Sequence, residues 1–278
     1  MNHLEFTAIV LGISAVAGFL GSLTGLGGGV VVTPVLTLLM GVSLHHAMGA
    51  ALISVIATSS GAAAAYVREG FSNVRVGMFL EIATTLGAVA GAHLVAVVPA
   101  SALAIVFGAV LLYSAWQSVH QPAERHTTES DPLAARLRLS GSYPEAGRMV
   151  AYGIQRVKAG FAMMFGAGLI SGLLGIGSGA LKVIAMDQIM KIPFKVSTTT
   201  SNFMIGVTAA ASAGIYIRHG YIEPALAAPV MLGVLSGSVI GARRLAGTRV
   251  HALRLVFGGV VAIMAVEMIF SGITGRLR

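Results

Sequence analysis

The chain is a succession of long apolar blocks separated by short polar breaks. The blocks fall at about 4–40, 46–67, 75–97, 100–118, 159–190, 196–217, 224–246 and 250–272. A helix needs about 20 residues to cross the hydrocarbon layer of a bilayer, so six of these blocks each fit one crossing. The first block of each set of four is too long for one. Each of these two carries a glycine cluster, Gly25-Leu26-Gly27-Gly28-Gly29 and Gly175-Ile176-Gly177-Ser178-Gly179, and the glycines predict a break there. No strand-like alternation of about ten residues recurs, so the pattern predicts helices rather than a barrel. One stretch, 119–158, is polar. Ser130 or Asp131 ahead of Pro132 predicts a capped short helix. Pro144 and Gly147, followed by alternating Val150, Tyr152 and Ile154, predict a small hairpin.

The second set of blocks repeats the first. Shifted by 150 positions, residues 18–113 match 168–263 without a gap, with 22 identities in 96 pairs. "YVREG" (66–70) falls on "YIRHG" (216–220), "VFGAV" (106–110) on "VFGGV" (256–260), and Thr58 on Thr208. The expected organisation is a first membrane repeat over 1–118, a linker over 119–158, and a second membrane repeat over 159–278.

Loop charges choose between two topologies. If each first block is a single broken helix, each half crosses four times and the halves are parallel; the 17 Lys and Arg residues other than Lys182 then divide 11 to 6. If each first block folds back as a hairpin, each half has about five segments and the halves are inverted. One side then holds Arg68, Arg75, Arg125, Arg136, Arg138, Arg148, Arg156, Lys158, Lys191, Lys195, Arg243, Arg244, Arg249 and Arg254, and the other only Arg218, Arg276 and Arg278. Cytoplasmic loops are the basic ones. The expected fold is therefore an all-α integral membrane protein of two inverted repeats with Gly-broken first hairpins. Its linker would be cytoplasmic and both termini outside. The segment from Leu4 to Leu23 reads as a retained helix rather than a cleaved signal.

Composition sharpens this picture. Hydrophobic residues make up 56% of the chain and charged residues 10%, against roughly 25% charged in soluble domains. Mean hydropathy is +0.86. The net charge of +8 reads as topology signal, and no nucleic-acid partner is expected. With no cysteine, thiolate metal sites and disulfides are excluded, and no metal or other cofactor is expected. The glycine clusters are not nucleotide loops. From Gly25 the sixth position is Val30, no strand precedes it, and no Gly-Lys-Ser/Thr follows.

The stretches "GLISGLLGIGSGALKV" (168–183), "FKVSTTTSNFMIGVTAAASA" (194–213) and "ATSSGAAAAYVREG" (57–70) resemble the TauE/SafE sulfite-exporter family, and the resemblance covers nearly the whole chain. It implies a permease of the inner membrane that moves sulfite, a sulfonate or a related sulfur-containing anion. One departure stands out. The family pattern often has Gly-Thr-Ser after the first glycine stretch, where this chain has Gly49-Ala50-Ala51. The second copy keeps Thr199-Thr200-Ser201, which predicts a lopsided site.

An anion in a bilayer must trade its hydration for protein donors. Broken helices of inverted-repeat transporters supply them at half-helix N-termini near the midplane, where free N–H groups carry about half a positive charge. Gly27, Gly28 and Gly29 in the first half, and Gly177, Ser178 and Gly179 in the second, are the candidate tips. Close helix packing is the alternative role for these glycines. Lys182, one turn past Gly179, is a charge inside an apolar block and by default marks function; the alternative is a pair with Asp187. Thr58, Ser59, Thr200, Ser201 and Asn202 are candidate hydroxyl and amide ligands, some of which would cap helices instead. Glu81, near Thr84 and Thr85, is the candidate proton carrier, with a structural acid as its alternative. The coupling ion would be a proton or sodium. Two rival classes are a non-transporting membrane partner subunit and an intramembrane hydrolase with Ser178 as nucleophile. The histidines lie in loops or near the ends of the apolar blocks and His-Glu-x-x-His is absent, so an enzyme is not expected.

Overall fold

The computed structural model describes residues 3–24, 28–68, 71–119, 129–145, 148–177, 179–244 and 250–276. The chain begins with α1 (His3–Thr24), α2 (Gly29–Pro34), α3 (Leu44–Arg68), α4 (Val74–Leu94) and α5 (Ala100–Val119). A polar interlude follows: α6 (Pro132–Arg136), β1 (Gly141–Glu145) and β2 (Arg148–Tyr152). The second half is α7 (Val157–Leu174), α8 (Gly179–Ile184), α9 (Phe194–Arg218), α10 (Pro224–Arg244) and α11 (Val250–Ile273). The protein is thus mostly helical, and β1 and β2 pair antiparallel from Gly141–Tyr152 to Glu145–Arg148. Among the described residues five helices are long and apolar enough to cross a membrane: α1, α4, α5, α7 and α10.

Both glycine clusters interrupt helix. α2 and α8 are short, and each continues into a π-helical turn, Val35–Leu39 and Ala185–Ile189. Pro34 precedes the first, but the second forms without a proline, so the wide turn belongs to the shared geometry. In the second half the chain then folds back. Gln155 N–H donates to the Met190 carbonyl at 3.0 Å, and a Cβ on Gly160 would meet Met190. The end of the 179–189 segment therefore lies beside the start of α7.

The helices are apolar outward and polar or small inward. On α4, Met78, Ile82 and Leu86 are exposed at four-residue spacing, while Gly77, Glu81, Thr84, Gly87, Ala88 and Gly91 are buried. A soluble helix has the reverse pattern; this one suits lipid outside and a packed bundle inside.

Each half's first helix packs on the other half's fourth through glycine. A Cβ on Gly18 would stand 2.2 Å from the Val234 carbonyl oxygen, and one on Gly168 2.1 Å from that of Thr84. One on Gly87 would stand 2.1 Å from the Phe165 oxygen, and one on Gly237 1.9 Å from the Ala15 oxygen. Partners in these two pairs differ by the same 150-residue shift as the sequence repeat. Such backbone-to-backbone approach is what small residues allow where no hydrophobic force drives helices together.

The contacts also give directions. Leu11 and Ala15 meet Gly233 and Gly237 in the same order, so α1 and α10 run alike; Phe165 and Leu169 meet Gly87 and Gly91, so α4 and α7 do too. The central pair α3 and α9 runs oppositely: Gly49 lies at Tyr221, and Ser59 at Asn202 and Gly206.

The polar interlude is packed onto the bundle. Asp131 caps α6 by accepting from Leu133 N–H at 2.9 Å. Leu139, Tyr143, Tyr152 and Ile154 share a buried cluster with Val76, Leu80, Met186 and Met190. Asn73, which caps α4 through Val76 N–H, donates from Nδ2 to the Leu139 carbonyl at 2.9 Å and the Tyr152 hydroxyl at 2.7 Å.

Candidate functional site

The two breaks converge on the α3–α9 crossing. A Cβ built on Gly29 would come within 2.6 Å of Val55, and one on Gly177 within 2.9 Å of Val55 and 2.6 Å of Ile205. A Cβ on Gly28 would stand 2.9 Å from Val234 and 3.4 Å from the Thr58 hydroxyl. Val55 and Ile205 are themselves mates under the 150-residue shift. Glycine is needed at all three positions for approach, and at Gly177 also for its φ of +74°. Packing thus accounts for these glycines by itself. Gly27 and Ser178, the remaining polar or small members of the tips, lie outside the described residues.

Around the crossing the hydroxyls are engaged with backbone. Ser59 Oγ donates to the Asn202 carbonyl at 2.6 Å and accepts from Gly206 N–H at 3.1 Å, tying α3 to α9. Ser201 Oγ donates to the Gly179 carbonyl at 3.2 Å, tying α9 to the start of α8. Thr58 Oγ1 donates to its own helix at Ser54. The expectation that some of Thr200, Ser201 and Asn202 cap a helix is corrected for α9, whose N-cap position is Pro193. Thr198 and Thr199 lie inside the helix and bond back to the Phe194 and Lys195 carbonyls. Thr200 is also set apart, since its hydroxyl accepts from Asn73 N–H at 3.0 Å and so holds the α3–α4 turn.

The charged part of the site joins the halves. Lys182, fully buried, donates to Thr208 Oγ1 at 2.5 Å. That hydroxyl lies 2.6 Å from Glu81 Oε1 and 3.1 Å from the Met204 carbonyl, either of which can take its proton. Lys182 Nζ stands 4.0 Å from Glu81 Oε2, and Oε2 has no hydrogen-bond partner among the described residues. Thr85 donates to Oε1 at 3.2 Å. Lys182 therefore pairs with Glu81 of the other half, where α8 meets α9 and α4. The mates of the three residues are Val32, Thr58 and Met231, so one half-site is charged and its twin is not. Among the described residues no group of three or more His, Asp or Glu could hold a metal.

Thr208 is the residue that sequence reasoning left out of the site. Its signal was present, as the hydroxyl matched by Thr58 in the repeat. Asn73 had no such signal, because its partners come from α9 and from the polar interlude.

Buried charge inside a bundle of apolar helices fits a membrane transport protein, and similarity agrees. Residues 10–268 match the profile described as Sulfite exporter TauE/SafE, and the chain belongs to that family. It is similar to the probable membrane transporter protein YunE of Bacillus subtilis (strain 168), 25% identical over 272 residues, or 95% of this chain and 97% of that protein. It is also similar to the probable membrane transporter protein YdhB of the same strain, 26% identical over 84% of this chain and 86% of that one. A probable membrane transporter protein of Xylella fastidiosa (strain 9a5c) is 25% identical over 94% of each. No solved structure matches.

Proposed function

We propose that this chain is a secondary transporter that moves a small sulfur-containing anion, such as sulfite or an organosulfonate, across the inner membrane. The observation that carries the reading is Lys182, a fully buried cation one turn past the second glycine break. A lysine in such a place is costly unless it is used. In this reading the anion is received by the N-terminal N–H groups of the short helices at Gly28–Gly29 and Gly179, together with Ser59, Ser201 and Asn202. Thr200 acts in this reading as support for the α3–α4 turn.

The inverted-repeat topology belongs to the same proposal. Equivalent helices α3 and α9 run oppositely, α1 packs parallel to α10, and α7 packs parallel to α4. That pattern and the 14-to-3 loop charges both support two inverted halves, a cytoplasmic polar interlude and outside termini. The two membrane repeats, 1–118 and 159–278, then share one site at their interface.

Purified protein in proteoliposomes tests this with labelled sulfite, methanesulfonate and sulfate. Saturable flux of sulfite or methanesulfonate that Lys182→Met abolishes is the expected result. Absence of flux for all three anions, under any gradient, overturns the reading.

A further inference from the structure

The cluster of Lys182, Thr208 and Glu81 is neutral as it stands, and it is sealed from solvent. Lys182 is 0% exposed and Glu81 8%. The groups facing Glu81 are Lys182 from α8, Thr208 from α9 and Thr85 from α4 itself. Other charges on the packed elements lie at their ends: Arg75 and His93 on α4, Lys158 on α7, Lys195 and Arg218 on α9. Asp187 follows in the π turn beyond α8. Among the described residues Lys182 is thus the one cation that touches Glu81.

An anion that reaches Lys182 must compete with the carboxylate already there. Adding a second anion without removing the first leaves a net negative charge in a medium of low dielectric, which is strongly unfavourable. Protonating Glu81 removes the conflict. The proton bonds to Oε2, the oxygen with no hydrogen-bond partner; no other bond changes, and Lys182 stays an ammonium. Sodium cannot serve in the same way. It would need several oxygen ligands at Oε2 and would sit near the Lys182 ammonium, 4.0 Å from that oxygen.

We propose that Glu81 competes with the transported anion for Lys182, and that its protonation releases Lys182 to that anion, so one proton travels with each anion. The proposal rests on the transporter reading above and adds its coupling ion and stoichiometry. The stoichiometry follows from the lopsided site. Val32, Thr58 and Met231 occupy the twin positions, and there Thr58 bonds back to its own helix, so the described residues hold one such switch.

Methanesulfonate is the better probe, because it stays a monoanion where sulfite itself titrates. Proteoliposomes loaded with a pH dye would report protons while labelled methanesulfonate and sulfite report anions. In the wild type, inward anion flux should acidify the lumen, and an outside-acid gradient should raise the steady-state accumulation ratio of methanesulfonate by about tenfold per pH unit, since each ΔpH unit is about 1.4 kcal/mol. Glu81→Gln mimics the protonated acid. It should keep anion-for-anion exchange, lose proton movement, and lose the response to pH. Thr208→Val, which keeps both charges, should retain proton movement at a reduced rate and keeps the test informative if Glu81→Gln does not fold. Anion binding read by thermal shift should strengthen as pH falls in the wild type and be independent of pH in Glu81→Gln. Anion flux without proton movement in the wild type overturns the coupling and leaves the transporter reading standing. Proton movement retained in Glu81→Gln overturns the role of Glu81. No anion flux or binding at all overturns both readings.

Discussion

At the scale of single residues, the Lys182–Glu81 pair separates stability from transport. Removing one member of a buried pair strands the other charge, at a cost of about 3–5 kcal/mol. Lys182→Met should therefore lower the thermal midpoint of the detergent-solubilised protein as well as abolish flux. Adding Glu81→Gln to it removes the stranded charge, so the double variant should recover most of the lost midpoint and none of the flux. Recovery of both would make the pair structural. The two charges were legible in the sequence because each interrupts an apolar block. Their partnership was not, since residues in different halves meet only once α4, α8 and α9 are packed. The hydroxyl-rich run at 198–202 misled for a related reason. Its composition suggests ligands and caps alike, but helix geometry turns Thr198 and Thr199 back on their own carbonyls.

At the scale of elements, the glycine contacts and the hairpin carry the predictions. Gly237→Ala places a methyl 1.9 Å from the Ala15 oxygen. Overpacking of this kind costs about 1–3 kcal/mol, so the α1–α10 pair should loosen and the midpoint fall. Gly12, where a Cβ would meet nothing within 4 Å, provides the contrast: Gly12→Ala should leave the midpoint unchanged or raise it, by roughly 0.5–1 kcal/mol of helix propensity. Equal losses at both sites would refute the close-contact account. The hairpin should respond to alkali. Burial raises the Tyr152 hydroxyl above its ordinary value of 10.0, with the Asn73 hydrogen bond opposing by less. An acid raised on folding stabilises while it is protonated, so this contribution holds below pH 10 and fades as pH climbs through the raised value. Alkaline titration of tyrosinate absorbance should show a late group, lost in Tyr152→Phe, whose release loosens β1 and β2. The helix starts and glycine breaks could be read from spacing and turn chemistry. The docking of the hairpin on α4 could not, because Asn73 gives no sign in the sequence that it reaches Leu139 and Tyr152.

At the scale of the whole molecule, the cysteine-free chain suits labelling of single introduced cysteines. Arg136→Cys and Glu223→Cys are both exposed sites. In intact cells an impermeant maleimide should label the second and spare the first; labelling of both from outside would refute the inverted arrangement. The duplication was plain from the ungapped 150-residue register, and loop charge alone favoured inversion. What the register could not convey is which helices exchange partners. Swapping has its own consequence for biosynthesis. α1 is made before its partner α10, and the surface that Gly18 fits, at Val234, is made roughly 200 residues later. At translation rates of about 5–20 residues per second, α1 waits on the order of tens of seconds with its glycine face uncovered. α4 waits for α7 in the same way, though for less time. Neither half can complete its contacts by itself, so a gene split within residues 120–128 should yield stable protein only when both pieces are made in the same cell.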